Sequence, residues 1–98
     1  MAVQILAPVT AAAASLSFTV RTERWATGIA VGLAGAETAD LQITPDDGKT
    51  WITVLPAVGA QLSVVNPSRR VPEPGVYRYN KGVTVAAVPI YVATEDNA

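Results

Sequence analysis

The 98-residue sequence contains no cysteine and no histidine, and only 15% of its residues are charged. Without cysteine there are no disulfides, thiolate zinc sites, iron–sulfur clusters or cysteine nucleophiles. Without histidine the chain lacks the commonest general base at neutral pH and the commonest transition-metal ligand. Neither sign of charge dominates: seven Lys and Arg against eight Asp and Glu leave a net charge of −1. A nucleic-acid partner would call for a basic excess, so none is expected. No apolar run approaches the ~20 residues that span a bilayer, so no membrane partner is expected either. Met1–Ser15 is apolar, but no Lys or Arg precedes Arg21 and Pro8 interrupts the run. That stretch therefore lacks the charged start and unbroken apolar segment of a secretory signal. No segment carries a 3.6-residue apolar period over ten residues, and Ala11–Ala14 supports at most one helical turn.

What is present is small and β-branched. Half of the residues are apolar, with 17 Ala and 14 Val against 6 Leu, 5 Ile and 6 aromatics. Val, Ile and Thr together supply 29 residues, the composition of strands. A single domain of this length buries only about two thirds of its unfolded surface. With small side chains its core is thin, and oligomerisation is the natural supplement.

The dominant period is two. Leu16, Phe18 and Val20 alternate with polar residues in a strand over Ser15–Val20. A second strand covers Trp25–Leu33, with Ile29, Val31 and Leu33 on one face and the small Ala30 and Gly32 on the other, where something can approach closely. Gly35-Ala36-Glu37 is a turn, and Leu41 and Ile43 mark a third strand. Pro45-Asp46-Asp47-Gly48-Lys49 is the strongest local signal, a hairpin between Leu41–Thr44 and Thr50–Leu55. Trp51, Thr53 and Leu55 lie on one face of its second strand and Ile52 and Val54 on the other. Pro56–Ala60 is a loop and Gln61–Val65 a short strand. Val71-Pro72-Glu73-Pro74-Gly75 cannot continue a central strand. Val76–Tyr79 is a strand, Asn80-Lys81-Gly82 a tight turn, and Val83–Val92 the last strand, with Pro89 marking an edge or a bend. The expected fold is an all-β antiparallel β-sandwich, Ig-like or jelly-roll-like, of about seven or eight short strands. It forms one domain over residues 1–98, with an N-terminal arm over 1–14 and a short acidic tail over 94–98.

Catalytic chemistry is thinly supplied. Asp46 and Asp47 are adjacent carboxylates, but their turn explains them, and the alternating oxygens of a Ca²⁺ loop are absent. No phosphate-binding glycine loop occurs, and no serine has a histidine partner. No catalytic residue, cofactor or metal is expected, and the chain is not read as an enzyme. Arg21, Arg24, Arg69 and Arg70 carry four of the seven positive charges. They serve solubility on loops or dock onto an acidic partner surface. Trp25 and Trp51 are core or interface anchors, or stacking surfaces for sugar rings. Tyr77 and Tyr79, on one face, are cross-strand packing or an interface stripe.

Three pieces of the sequence carry a resemblance. They are Gly32-Leu33-Ala34-Gly35-Ala36-Glu37, then Asp40–Thr44 with Pro45-Asp46-Asp47-Gly48-Lys49-Thr50-Trp51, then Pro74-Gly75-Val76-Tyr77-Arg78. In order and spacing over roughly residues 16–92 they resemble small virion proteins of tailed bacteriophages, with their G-L-x-x-G-E turn, D-G-G-x-T-W and P-G-x-Y-R segments. Pro45-Asp46-Asp47-Gly48 departs from that pattern where a second Gly is common. The resemblance implies a capsid decoration, or cement, protein on the outside of the virion. Such a protein oligomerises, with a trimer favoured, and bridges subunits of the major capsid protein. The candidate interface comprises Val3, Ile5, Leu6 and Val9 of the arm, with Arg21, Arg24, Trp25, Arg69, Arg70, Tyr77 and Tyr79. The alternative is a glycan-binding or adhesin module on a phage head or tail fibre.

Overall fold

The computed structural model describes residues 2–21, 25–54, 61–71 and 73–94. These form ten short strands: β1 (Ala2–Val9), β2 (Ala13–Ala14), β3 (Phe18–Val20), β4 (Ala26–Ala30), β5 (Thr38–Thr44), β6 (Ile52–Thr53), β7 (Leu62–Ser63), β8 (Ser68–Val71), β9 (Gly75–Lys81) and β10 (Val88–Thr94). One sheet runs β1-β10-β4-β8. In the other, β9 and β5 are neighbours, β2 and β3 both pair with β9, and β6 and β7 both pair with β5. Every pairing is antiparallel.

The order has a simple origin. With β2 and β3 taken as one broken strand, and β6 and β7 as another, the pairs nest around the Pro45–Lys49 turn. The partners run β5 with β6/β7, β4 with β8, β2/β3 with β9, and β1 with β10. A long hairpin rolled up in this way puts successive strands in alternate sheets and yields the jelly-roll order. Of the two sandwich types expected, the observed one is therefore the jelly roll.

The turn at the centre of the nest obeys local chemistry. Asp47 and Gly48 both have positive φ, 58° and 89°, the signature of the tight turn that suits a twisted hairpin. Thr44 donates its hydroxyl to Asp46 Oδ1 at 3.1 Å and accepts the Gly48 amide at 2.8 Å. Asp46 Oδ1 also accepts the Thr50 amide at 2.7 Å. The strands then meet with Gln42 opposite Thr53 and Ile43 opposite Ile52. The Gly35-Ala36-Glu37 turn also forms, closed by the Glu37 amide on the Ala34 carbonyl.

The core lies between the sheets. Val88, Ile90, Val92, Ile5, Ala26, Ala30 and Val71 face it from one side, and Phe18, Val20, Ala39, Leu41, Leu62, Tyr77 and Tyr79 from the other. Phe18 stacks on Tyr77 and on Tyr79, each at 5.8 Å between ring centroids. The strongest constraint is at Gly28, where a Cβ would overlap the Tyr79 ring and hydroxyl.

Several expected elements differ. In β4 the buried face is Ala26, Gly28 and Ala30, while Ile29 is half-buried and Val31 exposed. The small residues are the inner face because Tyr79 occupies the space above them. Asn80 and Lys81 are not a turn: β9 continues through Lys81, which pairs with both Ala13 and Ala39. Val83–Ala87 is not strand. Thr84 turns inward, donating to the Ala86 carbonyl at 2.7 Å, so Val83 and Val85 point out. Ala13–Ala14 is strand rather than a helical turn, since four alanines do not nucleate a helix against ladder bonds to β9. Pro89 lies in the interior strand β10, not at an edge. Its carbonyl accepts the Val31 amide at 3.3 Å, beyond the last β4 pair, where a missing N–H costs least. Leu16 is exposed, although Phe18 and Val20 are buried as the alternation requires. Pro56–Ala60 and the tail beyond Thr94 lie outside the described residues.

Candidate functional site

The jelly-roll path gathers the loops into two groups whose chemistry is opposite. One group contains the β1–β2 connection (10–12), the β4–β5 loop (31–37), the β7–β8 loop (64–67) and the β9–β10 loop (82–87). Hydrogen bonds tie these loops together. The Thr84 amide donates to the Thr10 carbonyl at 2.8 Å, the Gly82 amide to Thr38 at 3.2 Å and the Ala30 amide to Pro67 at 2.9 Å. Glu37 is the central clamp: its carboxylate accepts the Ala34 amide at 2.9 Å and the Val85 amide at 2.7 Å.

Beneath these loops lies Lys81, fully buried at the end of β9. Its Nζ donates to the Gly82 carbonyl at 2.8 Å and to Thr84 Oγ1 at 3.1 Å. Burial pushes the Lys81 pKa down, and the Glu37 charge partly offsets that push. Lys81 is thus satisfied inside the protein, and the half-buried Glu37 carboxylate is held by two backbone amides.

What faces solvent instead is valine. Val31, Val64, Val65, Val83 and Val85, from three of the four loops, are 45–89% exposed. Ala11, Ala12, Ala34, Ala36, Ala86 and Ala87 are exposed around them. Among the described residues, Glu37 is the sole charged residue in these four loops. Scattered exposed apolar residues are ordinary, but convergence of five on one charge-poor end is not.

The opposite group holds Arg21, the Pro45–Thr50 turn with Asp46, Asp47 and Lys49, and Glu73 between β8 and β9. The Thr50 hydrogen bond to Asp46 holds that carboxyl below its ordinary 3.8. Nearby, Arg78 lies over the Trp51 ring at 4.4 Å and donates Nε–H to Gln42 Oε1 at 2.8 Å. Arg70 lies over Trp25 at 4.9 Å. One face of each indole is therefore occupied by a guanidinium.

The residues expected to form an interface are not brought to one surface. Residues 2–9 are no free arm but the edge strand β1, paired along β10. Ile5 is buried, Leu6 and Val9 are half-buried, and Val3 is exposed. Tyr77 and Tyr79 are core, so they form packing and not an interface stripe on this chain. The Tyr77 hydroxyl donates to the Glu73 carbonyl at 3.0 Å, and burial together with the Glu73 charge raises its pKa. Tyr79 is fully buried, its pKa pushed well up by that burial, and its hydroxyl has no hydrogen-bond partner. Arg69 and Arg70 are successive residues of β8 and face opposite sides, so they do not make one basic patch. Arg69 pairs across from Gly28 and is half-buried, Arg70 and Arg21 are exposed, and Arg24 lies outside the described residues. Of the expected set, the structure brings Trp25 and Arg70 together.

The exposed valines were missed because Val83 and Val85 alternate like strand residues. The signal that could have found them is the near absence of charge in four separate loops. Among the described residues no group of three or more Asp or Glu is placed to hold a metal ion. Comparisons with protein-family models, with curated proteins and with solved structures gave no match.

Proposed function

We propose that the chain is a structural virion protein, a capsid decoration module that oligomerises and bridges major capsid protein subunits on the outer shell. The observation that carries this reading is the charge-poor, valine-rich loop end, a surface that suits burial against protein. The bacteriophage-like order of Gly32–Glu37, Asp40–Trp51 and Pro74–Arg78 supports the virion part of the reading. A jelly roll is compatible with it but hosts many functions and does not select one. Several weak patches on linked copies would bind a shell tightly, because each later contact is effectively intramolecular.

The test is quantitative mass spectrometry of purified particles of the virus that encodes the chain. Copy numbers comparable to the major capsid protein are expected. Absence from the particle, or only a handful of copies, would overturn the shell assignment. The glycan-binding alternative places Trp51 and Arg78 on the outer face of the β9–β5 sheet beside Gln42. On a glycan array, binding by the wild-type chain that is lost in Trp51→Ala would favour that alternative, and silence would favour the shell.

A further inference from the structure

We propose that the valine-rich loop end is a self-association surface, and that its occupant is a second copy of this chain. The inference rests on the reading of the chain as an oligomerising module, but not on which particle holds it.

Charge points to self rather than to a polar partner. The two ionisable groups at this end, Glu37 and Lys81, are satisfied within the protein by the Ala34 and Val85 amides, the Gly82 carbonyl and Thr84. Two copies meeting through this end therefore bring together one hydrogen-bonded carboxylate each, with Lys81 buried beneath it, whereas a strongly acidic or basic partner would find little to pair with.

Area is adequate. The five exposed valines together leave on the order of 500 Å² of residue surface in water, most of it apolar, comparable to the larger patches on typical monomers. The surrounding exposed alanines bring the end near the roughly 800 Å² per partner of a standard interface.

Ordering costs are low. Valine has few rotamers to lose, and Glu37 and Thr84 already lock the loops that carry Val83 and Val85. A lipid surface is disfavoured. Among the described residues these loops hold no Trp, Tyr, Lys or Arg, the groups that anchor a protein at a bilayer interface.

Sedimentation velocity of the full chain over a concentration series tests the inference. Wild type is expected to associate reversibly. Val83→Asp combined with Val85→Asp changes two residues that are exposed in the monomer, so the strand signal in circular dichroism should persist. Self-association should weaken by at least about 100-fold, because each new carboxylate would be buried unpaired. Val65→Asp, on a different loop, should also weaken it, and Ile52→Asp, on the hairpin at the opposite end, should leave it unchanged. A wild type monomeric at every concentration would overturn the inference. So would a doubly substituted chain that associates as wild type does, or a loss confined to Ile52→Asp. Co-sedimentation of wild type with phosphatidylcholine–phosphatidylglycerol vesicles, abolished in the double variant, would also overturn it in favour of a lipid surface. A monomer still found in hundreds of copies per particle would refute self-association while leaving the virion reading intact.

Discussion

Gly28 sets how closely the two sheets approach at the centre of the sandwich. The Tyr79 ring lies where a Cβ at position 28 would be, and Ala26 and Ala30 flank it on the same inner face. Gly28→Ala should therefore destabilise by about 1–3 kcal/mol or more, the cost of overpacking, although Ala suits a strand better than Gly. Chemical denaturation measures it, and a neutral result would mean that the ring has room to move. Tyr79→Phe should go the other way. It removes a buried hydroxyl that has no partner, so stability should be unchanged or rise by about 1 kcal/mol. A loss of similar size in the same assay would show that the hydroxyl is satisfied in solution. At Lys81 the stem is buried and the Nζ donates twice, so Lys81→Ala should cost about 2–4 kcal/mol.

Among the elements, the Pro45–Lys49 hairpin is the one whose local chemistry is complete. Thr44→Val removes the acceptor of the Gly48 amide and the donor to Asp46, and should cost about 1–2 kcal/mol in denaturation midpoint experiments. The Asp46 carboxyl is depressed by its Thr50 hydrogen bond, so its contribution is present above the ordinary 3.8 and is lost as pH falls through the lower folded value. The stability difference between wild type and Asp46→Asn should shrink over that acid window, and a difference independent of pH would contradict the assignment. The legibility of each element follows from how local its cause is. Turn residues act through their own backbone, and so the hairpin and the Gly35–Glu37 turn read directly. Alternation locates β3, β5 and β9 because one face of each is markedly more apolar. It fails in β4, where a ring from β9 selects the small face. It fails again at Val83–Val85, where the Thr84 hydroxyl bonds override the apolar pattern.

For the whole molecule, the nested pairing explains the surface. A long hairpin rolled into two sheets sends alternate loops to opposite ends, so residues distant in sequence share one end. Val31, Val65 and Val83 share one end through topology, and nothing in the residues adjacent to each announces the others. The arm expected over residues 1–14 fails for the same reason: its partner, β10, is the last strand of the fold. Residues 2–9 are thus integral to the sheet, and their deletion would expose Val88, Ile90 and Val92 rather than release a clamp. Valine left outside at one end, beside a core that holds Phe18, Tyr77 and Tyr79 as well as small residues, fits the proposed self-association.

Hydrogen–deuterium exchange as a function of protein concentration tests that claim most directly, since it reports which backbone becomes covered. Slower exchange at 64–66 and 82–87 is predicted as concentration rises, with the 45–50 hairpin unchanged. Equal exchange of the valine loops at every concentration, or protection that falls on the hairpin instead, would contradict it.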